Sequence, residues 1–211
     1  MNQSKPFKLK VWGRNACFTR PEMKAERVSY DVMTPAAARG VLEAISWKPA
    51  IVWRVTQIDV LNPIKWESVR RNEVGKTMSP ASPCLYVEDE RQQRAGLFLR
   101  DVAYTIHAHF EMTDKAGPTD NVRKFEDMFE RRAESGQCFH RPYLGCREFG
   151  ADFVLIPNGG TPEPIHENRD LGWMFLDYDY SGKEPMPRFF HAILEAGKLA
   201  VPSEGSREVD K

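Results

Sequence analysis

Four cysteines in 211 residues, Cys17, Cys84, Cys138 and Cys146, form no CxxC pair and no Cys/His finger spacing. A disulfide framework and a zinc ribbon are thereby excluded as the organising device, and free thiols in a reducing cytoplasm are expected. No apolar run approaches the length of a membrane span, and the start Met-Asn-Gln-Ser-Lys-Pro has no apolar stretch of a signal peptide. A soluble, cytoplasmic protein with no membrane partner is the expectation. Excess charge is missing too: 30 basic residues face 30 acidic ones. Bulk attraction to nucleic acid is therefore absent, and any such binding must come from local clusters. There is no internal repeat and no low-complexity tract. What is present is a hydrophobic fraction of 41%, enough to bury a core and exclude wholesale disorder.

Periodicity divides the chain into short elements. Residues 7–18 read as a strand, followed by a charged connection carrying Arg20, Lys24 and Arg27. Thr34-Pro35 then gives an N-cap with proline in the first helical turn. Ala38, Val41, Leu42 and Ile45 recur on one helical face, and Pro49 stops the helix. Alternation predicts a strand over 50–61, a turn at Asn62-Pro63 and a returning strand over 64–69, a hairpin ending in Arg70-Arg71. The polar stretch 76–96 predicts a long mobile loop. Residues 97–112 predict a strand with Val102, Tyr104, Ile106, Ala108, Phe110 and Met112 on one face and Thr105, His107, His109 and Glu111 on the other. A second helix is expected over 121–135, striped by Val122, Phe125 and Phe129 and closed by Gly136. Another strand follows over 143–156.

The order strand, helix, hairpin strands, strand, helix, strand suggests an α+β, ferredoxin-like sheet, with both helices on one face and the other free for a ligand. A 1–156 domain and a small β appendage over 157–211 are expected, the latter with strand-rich pieces around Trp173–Tyr178 and 189–201. The tail from Ser203 is expected to be disordered.

Several residues could carry chemistry. His107 and His109 lie on one strand face with Glu111, but no third or fourth metal ligand can be picked out, so general acid/base use is the better reading and no metal or cofactor is expected. Arg70-Arg71, Arg131-Arg132 and Arg147 are candidate phosphate contacts. Lys124 lies off the apolar stripe of its helix and could reach a phosphate, while Phe125 belongs to the core. Trp47 beside Lys48 could stack on a base. Cys138 with His140 is a poor nucleophile–base pair, lacking a triad context.

Beyond these patterns, long blocks resemble a known family. They are residues 16–24 (Ala-Cys-Phe-Thr-Arg-Pro-Glu-Met-Lys), 26–31 (Glu-Arg-Val-Ser-Tyr-Asp), 34–40 (Thr-Pro-Ala-Ala-Ala-Arg-Gly), Trp47-Lys-Pro, Asn62-Pro-Ile, Arg100-Asp-Val-Ala-Tyr, His107-Ala-His-Phe and 131–149. In order over roughly residues 7 to 201, they resemble the CRISPR-associated type I-C (Dvulg subtype) RAMP endoribonucleases. The resemblance implies a modified ferredoxin-like domain with a small C-terminal antiparallel sheet. It implies metal-independent cutting of the repeat transcript just past its hairpin, by attack of a ribose 2′-hydroxyl that leaves a 2′,3′-cyclic phosphate. The partners implied are the repeat hairpin, the guide RNA's 5′ handle and the large subunits of a type I-C surveillance complex.

Family members can use a tyrosine before the Trp-Lys-Pro and a Lys-His pair opening the second helix. Here those positions hold Ser46 and Lys124-Phe125. Of the implied groups Lys124 is kept; to replace the missing proton-transfer groups the chain offers His109 and His107, then Tyr30, His140 and Ser46, while Tyr104 lies on the opposite face and can serve only if a bulge intervenes. The RNA path implied runs by Arg20, Lys24, Arg27, Trp47, Lys48, Arg70, Arg71, Arg131, Arg132 and Arg147. Two alternatives stay open: a non-catalytic subunit capping the guide RNA, and added affinity for duplex DNA through Arg70, Arg71 and the 76–96 loop.

Overall fold

The first strand, β1 (Phe7–Ala16), alternates buried Phe7, Leu9 and Val11 with half-exposed Lys8, Lys10 and Trp12, as one covered face requires. In the computed structural model, which describes residues 2–81, 84–157 and 160–203, helix α1 (Pro35–Ile45) follows, its Thr34 hydroxyl accepting from the Ala37 amide. The helix ends at Ile45, before Pro49 is reached, with Ser46 as its C-cap. Next come β2 (Ile51–Val60), β3 (Trp66–Val74), the 22-residue β4 (Arg91–Met112) and helix α2 (Val122–Glu134). The chain closes with β5 (Asp152–Leu155), β6 (Arg169–Asp179), β7 (Met186–Glu195) and β8 (Lys198–Ala200). The tail expected from Ser203 lies, apart from Ser203 itself, outside the described residues.

The strands form an eight-stranded sheet in the order β5-β1-β4-β2-β8-β7-β6, with β3 paired to β4 off that path. All ladders between these strands are antiparallel. The C-terminal strands join the others through β8, whose Leu199 pairs with Ile58 of β2.

Three expectations are corrected here. β2 and β3 do not form a hairpin: each pairs with a different half of β4, β3 with residues 91–99 and β2 with residues 104–112. The two halves meet at Asp101, whose positive φ of 54° kinks the long strand. Arg70 and Arg71 accordingly lie within β3, opposite Ala95 and Arg94, rather than at a turn. Residues 91–96 are strand and not loop, because the polar run that looks structureless in sequence has a partner strand to satisfy its backbone. The strand expected over 143–156 shrinks to Asp152–Leu155, with one isolated bridge between Tyr143 and Gly150.

An aromatic cluster places the helices. Phe7, Trp53 and Phe110 from the sheet pack with Phe129 and Phe125 of α2, Trp53 lying 4.7 Å from Phe129 and Phe110 meeting Phe125 edge-on. Ala38, Val41, Leu42 and Ile45 of α1 are buried in the same core. Both helices therefore cover the face of β4 that carries Tyr104, Ile106, Ala108 and Phe110. Thr56 bulges out of the β2–β4 ladder, which shifts the alternation so that Trp53 and Ile58 share the helix face while Asp59 turns to the opposite one.

That opposite face is not open. Thr105 and Asp59 are buried, and the side chains of His107 and His109 are only 18% and 17% exposed. Lys8 Nζ donates to Thr161, and the Ile165 amide to the Val60 carbonyl, holding the segment before β6 against this side of the sheet.

Candidate functional site

The end of α1 lies beside the last turn of α2. Arg132 of α2 donates to the Ile45 carbonyl at 3.0 Å, satisfying one of the orphan acceptors at the α1 C-terminus. Trp53 Nε1 donates to the Ser46 carbonyl at 2.9 Å. The chain then emerges as Trp47-Lys48-Pro49, and Trp47 is 56% exposed. At the other end of α2, Asn121 caps the helix by accepting from the Lys124 amide. Asp120 accepts from Lys124 Nζ at 2.8 Å and from the Gly117 amide at 2.9 Å. The Lys124 hydrogen bond, helped by that amide and by the charge of Lys48, holds the Asp120 carboxyl below its ordinary range. Two lysines thus act on the single Asp120 carboxylate, and the exposed indole of Trp47 is the chain neighbour of one of them, Lys48. This arrangement can hold a phosphodiester and stack a base beside it.

The two positions where the family pattern is broken both point inward. Ser46 is fully buried, and its Oγ has no hydrogen-bond partner, so this hydroxyl does not meet a ligand on the surface. Phe125 is buried in the aromatic cluster, with Lys124 Nζ 5.7 Å above its ring. His140 lies on the loop after α2, which is joined to α1 by the bond from the Phe139 amide to the Ala44 carbonyl. Its ring is exposed and stacks on Tyr143 at 6.2 Å, and Phe139 beside it is 87% exposed.

His107 and His109 do not join Lys124. Phe110 packs against Phe125 of α2, and adjacent strand residues point to opposite faces, so the sheet itself stands between these histidines and the lysine. His107 Nε2 is bonded to buried Asp59 at 2.7 Å. Burial would raise the Asp59 carboxyl, but hydrogen bonds from His107 and Gln57 outweigh it and hold it below the usual value. His109 instead lines a cavity of about 340 Å³ with Arg39, Arg54, Glu111, Asp177 and Arg188. Tyr30 is buried, its hydroxyl accepting from the Phe175 amide of β6 and its pKa raised by desolvation. Tyr104 is buried on the helix face and likewise pushed up by desolvation. Both phenols are packing groups here.

The arginines of the β1–α1 connection are placed together but largely engaged. Arg20 bonds Asp31 at 3.3 Å and lies 4.6 Å over the Tyr30 ring. Arg27 bonds Glu148 at 3.1 Å and Glu73 at 3.4 Å. Arg71 pairs with the same Glu148 and lies 5.1 Å over the Phe98 ring. Lys24, Arg70, Arg131 and Arg147 are exposed. Arg132 is spent on capping α1. The carboxylates Asp120, Glu148 and Asp59, which organise these cations, were not singled out from sequence; only Asp120, four residues before Lys124, carried a local signal. Among the described residues no group of three or more His, Cys, Asp or Glu is arranged to hold a metal ion, and no helix is long and apolar enough to cross a membrane.

The fold defines a mixed α/β protein with two helices packed on one face of an antiparallel sheet. Comparison makes this specific. The family model of CRISPR-associated protein (Cas_Cas5) matches residues 7–202, and the chain belongs to that family, in its Cas5d branch. It is 50% identical to the CRISPR pre-crRNA endoribonuclease Cas5d of Mannheimia succiniciproducens, over 97% of this chain and 98% of the relative. With the protein of the same name from Thermus thermophilus it is 44% identical, over 96% and 94%. Among solved structures, one described as a CRISPR-associated protein superposes with a TM-score of 0.77 at 24% identity, covering 99% of this chain and 97% of that one. A subunit of a CRISPR RNA-guided surveillance complex shares the fold at a TM-score of 0.58 and 13% identity, over 94% and 92%.

Proposed function

We propose that this chain is a pre-crRNA endoribonuclease that cuts the CRISPR repeat transcript and stays on the 5′ handle of the guide RNA in a type I-C surveillance complex. The observation that carries the reading is the pair Lys48 and Lys124 acting on Asp120, with exposed Trp47 next to Lys48, present in a chain half identical, end to end, to a protein named for that activity. The strand order β5-β1-β4-β2, with α1 after β1 and α2 after β4, supports a ferredoxin-like core of the RAMP type over residues 1–156, with residues 157–211 as its β extension.

The chemistry follows from what the surface offers. Lys124 and Lys48 stabilise the charge that develops on the phosphate as the neighbouring 2′-hydroxyl attacks. Trp47 stacks a base and so fixes the scissile nucleotide. The attack needs a base and the leaving 5′-oxygen an acid. His140 is the accessible histidine tied to the α1 side, and we assign proton transfer to it in place of the residues missing at Ser46 and Phe125. The reaction needs no metal.

Incubation with the cognate repeat RNA in EDTA is expected to yield one cut, with a 2′,3′-cyclic phosphate on the upstream product. Lys124→Ala should slow cleavage by roughly 10²-fold while repeat affinity changes by less than about 3-fold. His140→Ala should fall comparably, and His109→Ala should leave the rate within about 2-fold. Intact hairpin binding with no cleavage would move the assignment to a second reading, a subunit that only caps the guide RNA, which the inward-facing Ser46 and Phe125 favour. Exposed Arg70 supports a further affinity for duplex DNA; binding of unrelated duplex that is insensitive to salt, or absent, removes it.

A further inference from the structure

Two of the four cysteines meet in space although 129 residues separate them. Cys17 follows β1 and is buried; Cys146 lies on the turn after Leu144 and is half-buried. The turn is pressed onto the strand end. The Cys17 amide donates to the Leu144 carbonyl at 3.0 Å, and Gly145 holds a φ of +83° where a Cβ would come within 2.0 Å of the Cys17 carbonyl oxygen. The Thr19 hydroxyl is shared by both thiols, 3.4 Å from Cys17 Sγ and 3.7 Å from Cys146 Sγ. Arg27 Nη1 stands 3.8 Å from Cys146 Sγ.

The two sulfurs are not equivalent. Cys146 faces a hydrogen bond from the Cys17 thiol, the Thr19 hydroxyl and the Arg27 guanidinium, which together hold it below the ordinary thiol range against the effect of burial. Cys17 donates that hydrogen bond and is buried, and both push it up. One contact runs the other way: Cys146 Sγ lies 3.5 Å from the Cys17 carbonyl, which favours the protonated thiol. Glu148 and Glu73 share the Arg27 guanidinium, and Arg71 stands behind them. The Arg27 guanidinium beside Cys146 Sγ and the greater exposure of that sulfur mark Cys146 as the nucleophile and buried Cys17 as its neighbour.

We propose that Cys146 is a peroxide-reactive thiolate and that Cys17 resolves its oxidised form into a reversible disulfide, tying the 144–146 turn to the end of β1. Cys146 Sγ attacks one oxygen of hydrogen peroxide; an S–O bond forms, the O–O bond breaks, and hydroxide leaves and takes up a proton as water. The Cys17 sulfur then attacks the Cys146 sulfur of the sulfenic acid. The S–S bond forms, the S–O bond breaks, and the hydroxyl departs as water with the Cys17 proton. The two thiols lose two electrons and the peroxide gains them. Closing the disulfide removes the thiolate beside Arg27 and leaves that guanidinium to Glu148 and Glu73, on the connection that also carries Arg20 and Lys24. Disulfides in a reducing compartment are of this transient kind. The inference does not rest on the RNA-processing reading.

The test uses the full chain without RNA. At about pH 6, iodoacetamide followed by peptide mass spectrometry should label Cys146 roughly 10-fold faster than Cys138, although Cys138 is the more exposed. Arg27→Gln should remove most of that advantage. Hydrogen peroxide should give a Cys17–Cys146 cross-linked peptide, reversed by dithiothreitol, and Cys17→Ser should instead accumulate a dimedone adduct on Cys146. Labelling that follows exposure, with Cys138 first, overturns the proposal without any variant. So does peroxide treatment that oxidises Cys138 while leaving Cys17 and Cys146 reduced.

Discussion

Individual side chains in this protein act mostly through the partner that the fold supplies. His107 and Asp59 are the clearest case, a pair hydrogen-bonded at 2.7 Å inside a nearly closed face. Because the folded carboxyl of Asp59 is held below its unfolded value, the pair's contribution is complete above about pH 4 and is lost as pH falls through the lower, folded value. Asp59→Asn should cost about 1–3 kcal/mol at pH 7 and flatten that acid limb, as read by urea unfolding across pH 2–7; an unchanged acid limb would count against the pairing. Gly145 is a second residue-scale constraint. Its positive φ and the Cys17 carbonyl at 2.0 Å from a would-be Cβ leave no room for a side chain. Gly145→Ala should destabilise by about 3 kcal/mol or more, measured by chemical denaturation.

At the scale of elements, helix α2 shows how local signals and packing divide the work. Its start was written locally: Asn121 accepts from the Lys124 amide, and the stripe of Val122, Phe125 and Phe129 follows the helical period. Asn121→Ala should lower stability by about 1 kcal/mol, with Asn121→Ser restoring most of it; thermal melts showing no difference would mean that the cap is idle. The other end of α2 could not be read this way. Arg132 looked like half of a surface phosphate clamp, yet its guanidinium closes α1 at the Ile45 carbonyl. Strand β4 was legible only in its second half. Residues 102–112 alternate cleanly, but residues 91–96 are polar because β3 pairs one edge while solvent bathes both faces, and no apolar period then betrays a strand.

For the whole molecule, the issue is what ties the C-terminal strands to the helical half. Beside the short β8–β2 ladder, Arg39 of α1 forms a two-pronged pair with Asp177 of β6, the Nη2–Oδ1 bond measuring 3.1 Å, and both side chains are mostly buried. A double-mutant cycle on Arg39→Ala and Asp177→Ala should return a coupling of about 1–3 kcal/mol. Additive losses within about 0.5 kcal/mol would show that the Arg39–Asp177 pair does not couple the two halves.

Sequence alone determined the two helices, because caps and a 3.6-residue period are local properties of a few adjacent side chains. It also determined the family, because the matching blocks are contiguous strings. Strand pairing, the closing of the histidine face and the grouping of cations around Asp120 and Glu148 were decided by tertiary structure alone. They depend on which distant segments become neighbours: β4 bridging β2 and β3, the segment before β6 lying beside β1 and β2, and Glu148 reaching Arg27 and Arg71. Alternation along β4 could show that His107 and His109 share a face, but not that the sheet would stand between that face and Lys124. That separation needed the contact of Phe110 with Phe125, which places α2, and with it Lys124, on the other side.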